Sequence, residues 1–215
     1  MFQSLISEVS ARFEVADAYF SETKPFKGQV GATAKGHMFV EAYSIYEFTV
    51  RSSVRLAIDA VNSRRYRVSD LTPTLLSLYL DPELRSVRDV GSKGVWGARQ
   101  KLFAKASAKT PAEIALDTNI PDDGSHFRYS HLQTIAAVFN IRRRLVRDLQ
   151  HISRINEVVD HRNQIAHGRD TAANIGRRYT HADVRKMLRQ MRSVCNCVAS
   201  QFDHYCSTPT LHIKR

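Results

Sequence analysis

Apolar side chains recur along this chain at steps of three and four residues, the spacing of one helix face. From about Phe2 to Ser21, Leu5, Ile6, Val9, Phe13 and Ala16 predict a first helix, which Lys24-Pro25-Phe26-Lys27-Gly28 breaks. A second helix is predicted from about Thr33 to Ser63, with Phe39, Tyr43, Tyr46, Val50, Val54, Ala57 and Val61 forming the longest apolar seam. Asp70 to Leu80 reads as a third helix, with Pro73 tolerable in its first turn, and the pattern continues through Pro82 to Val90. Gly91, Gly94 and Gly97 then punctuate the segment around Trp96, and about Ala98 to Ala108 reads as a short helix. Thr110 to Ser125, with Pro111, Pro121, Asp122, Asp123 and Gly124, is expected to be mostly loop.

Past that loop the helical period returns. Leu132, Ile135, Ala136 and Phe139 predict a helix from about Tyr129 to Phe139, ended by Asn140. Leu145, Leu149, Ile152, Ile155, Val158 and Val159 share one face of a longer helix ending near Gly168. Arg169 to Tyr179 has no helical period, and Thr180-His181-Ala182-Asp183 matches a capping box opening the last helix. There Val184, Met187, Met191, Val194, Val198 and Phe202 form a core stripe, with Arg185, Arg189 and Arg192 on another face. The expected fold is all-α: a single domain, 1–215, built as an antiparallel helical bundle with a less regular insertion around 91–128.

Composition agrees with one soluble globular unit, at 215 residues, 43% hydrophobic and 25% charged. The net charge of +11 adds something the pattern does not: it favours a polyanion such as RNA or DNA as partner, against a merely solvated basic surface. No apolar run approaches a membrane span, and MFQSLISEVSARF lacks the basic start and apolar centre of a secretion signal, so no membrane and a cytoplasmic location are expected. Cys195, Cys197 and Cys206 have neither paired nor zinc-site spacing and read as free thiols.

The chemistry-bearing stretch is Asp160-His161-Arg162-Asn163-Gln164-Ile165-Ala166-His167-Gly168. Continuing the apolar step from Val158 lands on Arg162, so a guanidinium points toward the buried side and requires a partner. Gly168 suits the left-handed residue that ends a helix, which puts His167 in the last turn, on the face of Asn163. Five steps turn a regular helix about 140° beyond a full circle, so Arg162 and His167 of one chain diverge. Two chains about a two-fold axis would gather two of each around a shared cleft.

Glu47 sits at the edge of the second helix's seam and has two readings: an ion pair with Arg51 one turn on, or an orienting partner for Arg162. Arg142 and Arg143, with Arg144 and Arg147, cluster at the start of the motif helix, and Arg169, Arg177 and Arg178 follow Gly168. Each set is a candidate RNA-phosphate contact or a solvated face.

No HExxH spacing and no GxxxxGKS/T loop occurs, so neither a metal nor a nucleotide cofactor is expected. What imidazole and guanidinium do unaided is cleave RNA by its own 2′-hydroxyl: a base takes that proton, a cation stabilises charge at phosphorus, an acid protonates the departing 5′-oxygen. Imidazole, with an ordinary pKa near ~6.5, serves as either acid or base near neutral pH. His167 would fill that role, Arg162 would grip the phosphate, and Asn163 would position the phosphate or hold His167 in one tautomer. The bland reading is Arg162 salt-bridged within the bundle and His167 a helix-capping residue.

The run Arg162-Asn163-Gln164-Ile165-Ala166-His167, with the polar residue after the Arg and a closing glycine, resembles the signature of the HEPN superfamily of small helical domains. Tyr46-Glu47-Phe48 is similar to the acidic position many such domains carry on the helix packed against the motif helix. The resemblance implies a dimeric, metal-independent endoribonuclease with the motif at the subunit interface. It further implies a toxin or antiviral-defence effector, with an antitoxin or other inhibitory protein as partner. HEPN relatives with degenerate motifs are non-catalytic RNA-binding or partner-binding modules, which is the alternative.

Overall fold

A computed structural model describes residues 2–115, 126–146 and 148–214; Pro121 to Gly124 of the expected loop and Arg147 of the basic cluster lie outside them. Helix α1 spans Phe2–Glu22 and α2 Gly28–Ser63; the short α3 (Pro73–Tyr79), α4 (Asp81–Asp89) and α5 (Val95–Ala106) follow. After them come α6 (Tyr129–Val138), α7 (Leu149–Ala166), α8 (Ala172–Arg177) and α9 (His181–Cys206). Helical turns of 3₁₀ type cover Val68–Asp70 and Pro209–Leu211.

The expected all-α bundle is what forms. Helix α2 is its axis, packed against α1, α7, α8 and α9. Cross-helix pairs fix the directions: Arg185 and Arg192 of α9 reach Asp17 and Glu14 of α1, so those two run antiparallel. Arg154 of α7 bonds Gln190 of α9 while His161, two turns on, meets Tyr179 just before α9, which makes α7 antiparallel to α9 as well. The predicted apolar stripes of α1, α2 and α9 are buried in one continuous cluster with Phe20, Phe39, Tyr46, Phe139, Phe202 and Tyr205 at its heart. Of the three arginines of α9, Arg185 and Arg192 tie that helix to α1.

Helix α2 begins at Gly28, five residues before the apolar seam announces it, and the expected non-helical stretch 169–179 contains α8. The two segments pack on each other. A Cβ on Gly36 would stand 2.0 Å from the carbonyl oxygen of Ala172, and one on Gly176 would stand 1.9 Å from that of Ala32. The two backbones touch through glycine and alanine, residues that carry almost no hydrophobic signal yet permit the closest approach. Thr171 caps α8 by accepting from Asn174 N–H at 3.1 Å.

Short helices lead up to the insertion and continue into its described part. Thr72 caps α3 with Pro73 in the first turn, and α4 continues from it. Helix α5 starts at Val95 rather than Ala98 and pairs with α4 through Lys105 and Glu83, 2.8 Å apart. Beyond it, Asn62 of α2 holds Ile114 by both backbone groups, at 2.8 and 2.9 Å. The C-terminus returns here too: His212, fully buried, meets Tyr66 Oη at 3.2 Å and the Tyr205 carbonyl at 3.1 Å. Cys195 is buried, and Cys197 and Cys206 are half-buried. Among the described residues no helix is long and apolar enough to cross a membrane, and no three metal-ligating side chains gather.

Candidate active site at the end of helix α7

Helix α7 starts at Leu149, where the Asp148 carboxylate accepts from Gln150 N–H at 2.8 Å. Leu145 is therefore buried from the connecting strand of chain, and Leu149, at the first helical position, is 75% exposed. Their four-residue spacing did not place them on one helix face. Ile155, Val158 and Val159 are fully buried as expected. The helix ends at Ala166: Gly168 lies at φ +64°, its N–H donates to the Ile165 carbonyl at 3.1 Å, and Arg169 N–H donates to Gln164 at 2.9 Å. That paired closure is a Schellman motif, and it fixes His167 as the exposed C-terminal cap.

Arg162 is half-buried, and the partner it requires is aromatic. Its guanidinium carbon lies 4.9 Å from the centre of the Tyr43 ring of α2. Its Nη1 lies 3.1 Å from Nδ1 and 3.2 Å from Nε2 of His126, and donates to Asn163 Oδ1 at 3.3 Å. Near-equal distances to both ring nitrogens place that nitrogen over the imidazole face, where in-plane approach would collide with ring carbon. Among the described residues, two π-faces and one amide thus take the place of a carboxylate. Glu47 does not serve Arg162: it accepts from Arg51 Nε at 3.0 Å, the turn-to-turn pair of the first reading. The Asn163 side chain orients Arg162, and the bond between Asn163 and His167 is a backbone one, His167 N–H donating to the Asn163 carbonyl at 3.0 Å, which does not set that imidazole's tautomer.

His126 is the member of the site that the sequence reading missed. It stands in the connection before α6, beside a loop whose composition gave no period and no motif. Helix α7 positions it: the Asp160 carboxylate accepts from the Arg128 guanidinium at 2.5 Å, and Asn156 accepts from Tyr129 N–H at 3.4 Å. Phe127 between them is fully buried, with the Arg51 guanidinium 5.0 Å above its ring. The His126 ring centre is 6.2 Å from that of His167 and 5.7 Å from that of Tyr43, whose hydroxyl is 3.5 Å from Nδ1. Arg162 and His167 thus converge on His126 within one chain, which removes the expectation that a single chain leaves them diverging.

Burial, and then the adjacent Arg162 cation, pull His126 below the ordinary imidazole value, with Glu47 opposing. Burial, with Glu47 adding to it, pushes the Tyr43 phenol up to about 12, so Tyr43 is neutral and its ring remains a face for the cation. On the opposite flank of α7, buried His161 meets Tyr179 Oη at 2.6 Å, and that hydroxyl donates to Glu157 Oε1 at 2.6 Å. The phenol has one proton and gives it to the carboxylate, so His161 donates from Nε2. Glu157 is held in turn by Arg154, itself bound to Gln190 of α9 at 2.8 Å. This chain locks the turn that carries Arg162.

The basic candidates divide. Arg169 is exposed one residue past Gly168, Arg177 donates to Asn174 at 3.1 Å, and Arg178 is paired with Asp170 at 2.6 Å. These three lie at the His167 end. Arg142 and Arg143 are exposed before the start of α7, a helix of 18 residues and hence about 27 Å long, so they are not part of the same site.

An antiparallel helical bundle with Arg162, Asn163 and His167 at the end of α7, a helix packed on α2, is the arrangement of a HEPN-class domain. The chain belongs to the HEPN_MAE_28990-like HEPN family, whose model matches residues 4–211. No curated protein and no solved structure matches it.

Proposed function

We propose that this HEPN protein is a metal-independent endoribonuclease acting as a homodimer, an effector of toxin or antiviral-defence type. The observation that carries this reading is the convergence of Arg162 and His167 on one spot, the cation half-buried against rings and the imidazole exposed. A guanidinium oriented by Asn163 and lacking a carboxylate partner among the described residues keeps its charge for a phosphate. Imidazole supplies proton transfer. The net charge of +11 suits the polyanionic substrate, and Arg169 beside the site suits its backbone. Dimerisation would set two such centres against each other.

The test is purified protein incubated with total RNA in the presence of chelator. Wild type is expected to cut, leaving 2′,3′-cyclic phosphate and 5′-hydroxyl ends. Arg162→Ala and His167→Ala are each expected to slow cleavage by about 10²–10³-fold while melting like wild type. RNA left intact by the wild type would assign the chain to the non-catalytic, RNA- or partner-binding kind of HEPN module. Light scattering tests the dimer, and a stable monomer would overturn that part.

A further inference from the structure

We propose that His126 is a catalytic residue, the general base that removes the 2′-hydroxyl proton, with His167 of the same chain as the general acid. The inference rests on the endoribonuclease reading and changes its economy, since one subunit then holds acid, base and cation together.

The geometry points this way. Two rings with centres 6.2 Å apart are too distant to bond each other and close enough to flank one phosphodiester. Arg162 lies against His126, so a phosphate drawn to the guanidinium is delivered beside that imidazole. His126 is also held for the purpose, because the Arg128–Asp160 pair and the Tyr129–Asn156 bond fix its backbone to the helix that carries Arg162 and His167. Its charged and titratable surroundings are Arg162 and His167 of α7, Tyr43 and Glu47 of α2, and Arg128 of its own segment. Burial and the neighbouring cation favour its neutral form, the form a base needs at neutral pH.

The step balances. The 2′-hydroxyl proton passes to the open nitrogen of His126 as the 2′-oxygen bonds to phosphorus. The bond from phosphorus to the 5′-oxygen breaks, and that oxygen takes a proton from His167. The products are a 2′,3′-cyclic phosphate and a 5′-hydroxyl, and both imidazoles are reset by exchange with water.

The experiment compares wild type, His126→Gln and His167→Gln under single turnover from pH 5 to 9. Two substrates are used: an RNA oligonucleotide and uridine 3′-(4-nitrophenyl phosphate), whose leaving group needs no acid. His126→Gln is expected to lose about 10²–10⁴-fold on both substrates, together with the acid limb of the rate profile. His167→Gln is expected to lose activity on RNA and recover on the nitrophenyl ester. Equal rescue of both variants, or His126→Gln cutting with an unchanged profile, overturns the base assignment while leaving the nuclease reading intact. A wild type inert on both substrates overturns both. Should His126→Gln melt below wild type, the imidazole resonances of the wild-type protein decide: both rings are expected to shift on adding inorganic phosphate, and a His126 ring indifferent to phosphate ends the proposal.

Discussion

At the scale of single residues, the site shows how a half-buried cation is accommodated with no carboxylate partner among the described residues. Arg162 trades the Coulomb energy of an ion pair for contact with two ring faces and one amide oxygen, and so remains available to an anion. Glu47 marks the contrast. It is paired with Arg51 near the surface, where such pairs contribute about 0–1 kcal/mol, so Glu47→Gln is expected to change unfolding free energy by less than about 0.5 kcal/mol. Its effect should appear instead in the titration of His126: the carboxylate is what opposes the downward pull of burial and Arg162. Removing it should move the His126 ring to a lower titration midpoint by proton NMR, and an unmoved midpoint would show that Glu47 does not face the site.

At the scale of elements, two glycines do different work and their replacements separate them. Gly168 ends α7 at φ +64° with open space around its Cβ position, so Gly168→Ala meets only backbone strain, about 1–2 kcal/mol. The same strain disturbs the closing turn that places His167, and cleavage should fall further than stability. Gly176 has φ in no special region, but an added methyl would strike the Ala32 carbonyl. Gly176→Ala must therefore push α8 off α2, at a cost of about 1–3 kcal/mol or more. Urea denaturation of the two variants, read beside RNA cleavage, distinguishes a cap from a contact. A Gly176→Ala variant as stable as wild type would show that α8 does not dock as tightly as these distances require.

At the scale of the whole molecule, burial depresses four histidines: His126, His161, His181 and His212. Each binds its proton more readily in the unfolded chain, near the ordinary value of about 6.5, than in the folded one. Stability from these groups is therefore complete above about pH 6.5 and is lost as pH falls through and below that value. Melting temperature is expected to hold from pH 7.5 to about 6.5 and to drop below it. Replacing His212, fully buried between Tyr66 and Tyr205, by Gln should flatten that slope at some cost in stability. A slope identical to wild type would remove His212 from the account.

Much of this was written in the sequence. The stripes of α1, α2 and α9, the capping box at Thr180 and the closing role of Gly168 follow from local periodicity and backbone preference, which neighbouring residues in the chain determine. The same locality made Arg162, Asn163 and His167 legible as one motif. Tertiary structure alone decided what had no local signature. Helix α8 docks on α2 where two backbones meet across glycines, a contact between residues over a hundred positions apart. His126 joins Arg162 across 36 positions because Asp160 and Asn156 hold its loop, and no spacing rule in a sequence encodes which loop a helix will hold.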